Sequence, residues 1–338
     1  VATEPQAGRI LFLDGWRGLA ILAVIFAHFG TTGVLNMGRF GVEMFFVLSG
    51  RLMAEILFEK GTPLSKFFPR RVSRVWPALM VMISIALLLG IAFGVGDVSW
   101  QAWLAAMTFT YNYATLFGIQ STWIEHTWSL CVEEHVYILL GTLAAATRLL
   151  KIPPIKALFV ISGLMMANGL VQTLAFKLSY YEVYWRSDVR GASIVLGAGV
   201  YLATKNVRAP SSAAVLLGVL GLALNMNAVP DTVKYTIGTS LLALSVCLLP
   251  QASEPTLRAL SSRAIIFVGA ISYSLYLWQQ PFSKLVVTEG PISSQLFVRA
   301  TLLSVAVGIA WFSWRFIEAP ARSYLNRLWA GVDPQRVQ

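Results

Sequence analysis

An apolar stretch from Trp16 to Gly33 carries Arg17 at one end and His28 near its middle. Eleven residues separate the two, so on a helix rising about 1.5 Å per residue they lie roughly 16 Å apart. The hydrocarbon layer of a bilayer is about 30 Å thick. With Arg17 at an interface, His28 falls near the midplane, where an ionisable side chain is expensive and marks a functional site. Such a chain folds with its polar groups turned inward, and composition agrees. Apolar residues make up 57% of 338 and charged residues 12%, against about 25% charged in soluble domains. The net charge of +10 is spread between apolar runs, which reads as membrane topology and argues against nucleic acid. Cys131 and Cys247 both sit in apolar runs, so neither a disulfide framework nor a metal cluster is expected.

Apolar runs near twenty residues long predict an all-α, polytopic membrane bundle of about ten crossings. They fall at 16–34, 40–58, 75–94, 127–147, 156–176, 189–204, 212–229, 233–250, 264–287 and 294–316. The segment 102–118 is read as one interfacial or re-entrant helix, since Trp100, Trp103, Tyr111 and Tyr113 suit the headgroup level. That choice places 18 of the 26 Lys and Arg, from Arg9 to Arg336, on the cytoplasmic side with both termini, as the positive-inside rule requires. The expected division is a cytoplasmic segment 1–15, a membrane domain 16–316 and a cytoplasmic tail 317–338. Val1–Gly8 is polar and lacks the pattern of a signal peptide. No linker or fixed-period repeat stands out.

Several stretches carry a family pattern: R-x10-H from Arg17 to His28, GVEMFFVLSG at 41–50, RRVSRVWP at 70–77, TWSLCVEEHVY at 127–137, RSDVR at 186–190, SYSLYLWQQP at 272–281 and RFIEAP at 315–320. In order and spacing, over about residues 9 to 325, they resemble the membrane acyltransferase-3 family. The resemblance implies a ten-helix bundle in the bacterial inner membrane that takes acyl groups, usually from acetyl-CoA, and places them on surface glycans or lipid-linked sugars. Some members carry a second, hydrolase-like domain, which nothing in this sequence would encode. The implied partners are acyl-CoA, a glycan or lipid-linked sugar, and membrane lipids, with no metal.

Chemistry ranks the residues. An imidazole can take a proton from an alcohol and return it to a thiolate, so His28 is the expected general base, ahead of His126 and His135 near the start of the fourth crossing. Glu43, inside an apolar run, is expected either to orient His28 or to form a structural ion pair. Arg39 and Glu43, and likewise Arg51, Glu55 and Glu59, stand four apart and suggest pairs along one helix. Glu133 and Glu134 point about 100° apart on a helix, so one faces the pocket and the other pairs elsewhere. Cys131 lacks an activating base and reads as core. Asp14 and Arg17 suit one helical face, and the resemblance adds Arg17 to Arg70, Arg71 and Arg74 as holders of CoA phosphates. Arg186, Asp188 and Arg190 are expected to touch the acceptor or to form an ion network. The family usually has histidine at Gln279, and glutamine cannot relay a proton at neutral pH. Arg51, after the SG of its motif, is a second departure.

A transporter or flippase is the competing expectation, since buried charges also line pathways. The missing repeat and the ordered motifs favour the acyltransferase.

Overall fold

Every regular element among the described residues, 10–30, 33–286 and 292–330 of a computed structural model, is a helix. The first three long ones are α1 (Leu11–Phe29), α2 (Met37–Met53), which runs on through a π-helical turn at Ala54–Glu59, and α3 (Leu64–Phe93). Short α4 (Trp100–Met107) and α5 (Tyr111–Ala114) precede α6 (Trp128–Leu149) and α7 (Pro154–Leu174). After the single turn α8 (Tyr180–Tyr184) come α9 (Ser187–Thr204) and α10 (Ala213–Ala223). A further turn, α11 (Asp231–Val233), leads through a π-helical stretch into α12 (Thr239–Leu248). The chain ends with α13 (Glu254–Leu260), α14 (Arg263–Ala270), α15 (Ser272–Ser283), α16 (Ile292–Ser313) and α17 (Ala319–Ala330).

Local chemistry sets several boundaries. The Asn36 side chain caps α2 by accepting from the Arg39 N–H at 3.1 Å, and Ser99 caps α4 from the Ala102 N–H at the same distance. A capping box of Ser179 and Glu182 starts α8. Among the described residues six helices are long and apolar enough to cross a membrane: Leu11–Phe29, Leu64–Phe93, Glu125–Leu149, Pro154–Leu174, Asp231–Gln251 and Ile292–Trp329. The other four expected spans differ in kind. The helix at 37–59 carries Arg39, Glu43, Arg51, Glu55 and Glu59, and α9 carries Asp188 and Arg190. Helix α10 is 11 residues long, and the ninth span divides into α14 and α15 at Ile271.

Burial follows the pattern of a bundle in lipid. Large apolar side chains such as Ile91, Phe93, Leu164 and Phe297 stand exposed, while Glu43, Arg51, Arg190 and Gln279 are buried. Without a hydrophobic driving force between helices, contact depends on close backbone approach. At Gly50 an added Cβ would collide with the Ile194 carbonyl, and at Gly197 with that of Val47, so α2 and α9 meet backbone to backbone.

The structure shifts some expectations. Helix α1 begins at Leu11, five residues before the expected span, because Asp14 and Arg17 pair across one turn at 2.6 Å and enter the helix together. His28 therefore lies in its last turn and not mid-helix. The segment 102–118 is interrupted near Thr108–Thr110, with Phe109 at a φ of 55°, and forms no single helix. Neither expected run of pairs along α2 forms. Arg39 reaches Asp231 at 2.6 Å, Glu55 takes Lys60 at 2.6 Å, and Glu59 takes the Tyr201 hydroxyl at 2.7 Å. From residue 316 to Ala330 the chain stays helical, and Asn326 on α17 accepts from Ser73 on α3 at 3.0 Å. Val1–Gly8, Arg9 and Arg336 lie outside the described residues.

Candidate active site

Arg17 of α1, Arg71 and Arg74 of α3, and Glu133 and Tyr137 of α6 surround one end of a cavity. It extends past Ser49, Ser129 and Tyr273 to Tyr276 of α15. The arginines do not share one environment. Arg17 is tied to Asp14. Arg71 donates to Glu133 at 2.6 Å and to Glu134 at 3.0 Å, and its guanidinium lies 3.9 Å from the Tyr137 ring centroid. Arg74 faces the cavity with no carboxylate at ion-pair distance among the described residues. Arg70 is exposed and does not line the cavity.

The glutamates resolve as the helical geometry requires. Both reach Arg71, but Glu133 alone lines the cavity, where it also accepts from the Tyr137 hydroxyl at 2.6 Å. Glu43 does not approach His28. It forms a buried ion pair with Arg190 of α9 and accepts from Thr239 of α12 at 2.6 Å, so three helices converge on one carboxylate. Cys131 is fully buried and absent from the cavity wall.

His28 Nδ1 lies 2.6 Å from the side-chain oxygen of Gln279. An amide oxygen only accepts, so Nδ1 carries the hydrogen and Nε2 keeps its lone pair. The Gln279 NH2 group turns back to the Tyr276 carbonyl at 3.4 Å, consistent with that orientation. Gln279 and Tyr276 stand three apart on α15, which puts the Tyr276 edge of the cavity one turn from the residue that holds the His28 ring, while His28 itself does not line the cavity. The Tyr276 hydroxyl meets Ser129 Oγ at 2.7 Å and the His126 carbonyl at 2.9 Å. His126 is 4% exposed, with its ring centroid 5.2 Å from that of Tyr276. His135 instead bonds Ser187 at 2.7 Å and stacks on Tyr113.

The acceptor trio divides. Arg186 and Asp188 close an ion pair at 2.8 Å, which the Tyr113 hydroxyl and Asn168 brace at 3.2 and 3.0 Å. Arg190 instead lies buried against Glu43. Tyr276, Ser129 and Tyr137 escaped the sequence reading; the motifs held them, but only the fold shows which turn of each faces the cavity.

A profile described as an acyltransferase domain, of the acyltransferase-3 family, matches residues 10–315. Among curated relatives, an O-acetyltransferase OatA of Staphylococcus aureus is 26% identical over 96% of this chain and 59% of its own length. A peptidoglycan O-acetyltransferase OatA of Listeria monocytogenes is 27% identical over 92% of this chain and 55% of its own. A putative peptidoglycan O-acetyltransferase, YrhL of Bacillus subtilis, is 25% identical over 92% and 54%. The chain thus spans little more than half the length of these relatives. No solved structure matches it.

Proposed function

The chain belongs to the acyltransferase-3 family, and from that premise we propose that it is an integral membrane O-acetyltransferase. It moves an acetyl group from acetyl-CoA to a sugar hydroxyl of a bacterial exopolysaccharide, O-antigen or related glycan. The observation that carries this reading is a cavity that begins among arginines and reaches Tyr276, one helical turn from the Gln279 that fixes the His28 ring. Names of relatives that acetylate peptidoglycan support the acceptor class.

In this reading Arg17 and Arg74 meet the CoA phosphates, with Arg71 holding the wall through Glu133 and Glu134 and Arg70 at the exposed flank. The pantetheine arm follows the cavity towards Tyr276. The sugar oxygen bonds to the thioester carbon as His28 Nε2 takes the hydroxyl proton; the C–S bond then breaks and the proton passes to the departing thiolate. Gln279 positions the ring by fixing its tautomer. Glu43 acts at a distance, by holding α2 and α9 together through Arg190. The ten crossings, the inner membrane and cytoplasmic termini belong to the same proposal, with α2, α9, α10 and α14–α15 completing the six apolar spans.

His28→Ala in purified, correctly inserted protein is expected to lower acetyl transfer by about 10²–10⁴-fold. Wild-type turnover in that variant would remove His28 from the mechanism.

A further inference from the structure

A second cleft opens among the first turn of α2, the turn α8, the start of α9 and the turn α11. It shares no lining residue with the first cavity. It does lie at the His28 end of the bundle. Gly38 on α2 faces Ala27 on α1 and Gly41 faces Val24, so the two helices run antiparallel and Arg39 stands level with the last turn of α1.

The floor of this cleft is cationic. Arg39 and Arg190 line it while only 4% and 1% exposed. Arg39 and Lys234 converge on Asp231, at 2.6 and 3.4 Å, while Arg190 pairs with Glu43. Three cations thus share two carboxylates, and one positive charge is left over in a buried setting, where uncompensated charge is costly. The Arg190 Nε is also buried with no hydrogen-bond partner among the described residues. The walls are tyrosine. Tyr180 and Tyr184 stack with centroids 4.7 Å apart, and the Arg39 and Arg190 guanidiniums lie 5.0 and 4.7 Å from the Tyr184 ring. An excess cation with an unspent donor calls for an anion, and Tyr180, half-buried in the cleft wall, offers aromatic surface to a pyranose ring.

We propose that this cleft binds an anionic saccharide through its carboxylate or phosphate, and so selects acidic units of the acceptor glycan. Its identity as the acceptor rests on the transfer reaction proposed above; the binding itself does not.

The test uses the full chain, purified and folded, titrated with D-glucuronate, glucose 1-phosphate and glucose. At least one acid should bind ten or more times tighter than glucose, with an affinity that falls as salt is added. Which of the two acids binds tighter identifies the anionic group. Arg39→Gln should weaken acid binding at least tenfold. Asp231→Asn, on the rim, removes an opposing charge and should leave acid binding unchanged or stronger, so the sign of its effect remains a test if Arg39→Gln fails to fold. Glucose binding as well as the acids, or Asp231→Asn weakening the acids tenfold, would overturn the proposal. His28→Ala separates the two readings, since it should bind the acids normally while losing transfer. Full transfer in His28→Ala with acid binding intact sinks the mechanism and spares the cleft, and wild-type transfer with no acid binding sinks the cleft and spares the mechanism.

Discussion

Arg71 and Arg74, three residues apart on α3, meet opposite surroundings and give opposite predictions. Arg71 is committed to two carboxylates and a tyrosine ring. Breaking a buried pair by removing one partner costs about 3–5 kcal/mol, so Arg71→Gln should lower the yield of folded protein before any kinetic effect is read. Arg74 has no such commitment, so Arg74→Gln should keep the fold and raise the KM for acetyl-CoA more than that for the sugar. Arg70→Gln, at an exposed position, should change neither. Donor titrations on folded variants check this, and an unchanged donor KM in Arg74→Gln would move the phosphate site elsewhere. Sequence marked these residues as one basic run. Their separate fates depend on α6, whose Glu133 and Glu134 arrive 62 and 63 residues later. Gln279 is the same lesson in reverse. Read alone it subtracts a proton relay, yet in the fold it is the group that touches His28.

Among elements, the connection from α3 to α4 shows how a polar loop is held. The Asp97 carboxylate accepts from the Ser121 hydroxyl at 2.7 Å, the Thr122 N–H at 2.6 Å and the Trp123 N–H at 3.2 Å. Gly96, at a φ of 92°, lets the Trp123 ring lie against the backbone, where a Cβ would come within 2.8 Å of it. Partial burial works against ionisation of Asp97, but these hydrogen bonds outweigh it and hold the carboxyl below the usual carboxylate range. A depressed folded value means the stabilisation is present above the unfolded value of about 3.9 and is lost as pH falls through the folded one. Wild type should therefore exceed Asp97→Asn in Tm at pH 7, with the gap closing as pH drops below about 4. A gap that stays constant down to pH 2 would show that the carboxylate charge is not what matters. The long apolar helices α3, α6, α7 and α16 were legible from hydropathy alone. The short α10 and the break at Ile271 were not, because apolar content does not reveal where a helix stops against its neighbours.

For the whole molecule, the division of 102–118 into α4 and α5 argues against one continuous crossing there, because α4, at 8 residues, spans only about 12 Å. Single cysteines placed in 95–99 and 177–182 should label from outside, and those in 60–66 and 205–208 only once the inner face is opened. Reversed labelling at the later pair would mean that the interrupted segment crosses after all. The sequence motifs marked most of the polar interior, but pairing between helices needs the packed bundle, and the Glu43–Arg190 bond is the clearest case. Its partners lie 147 residues apart. At about 5–20 residues per second, synthesis delivers Arg190 roughly 7–30 s after Glu43. During that interval the helix that carries Glu43 exists without its Arg190 partner, so the α2–α9 contact closes only once α9 has emerged. Assembly of this part of the bundle is therefore ordered by synthesis: α2 is made early and its seat on α9 is completed late.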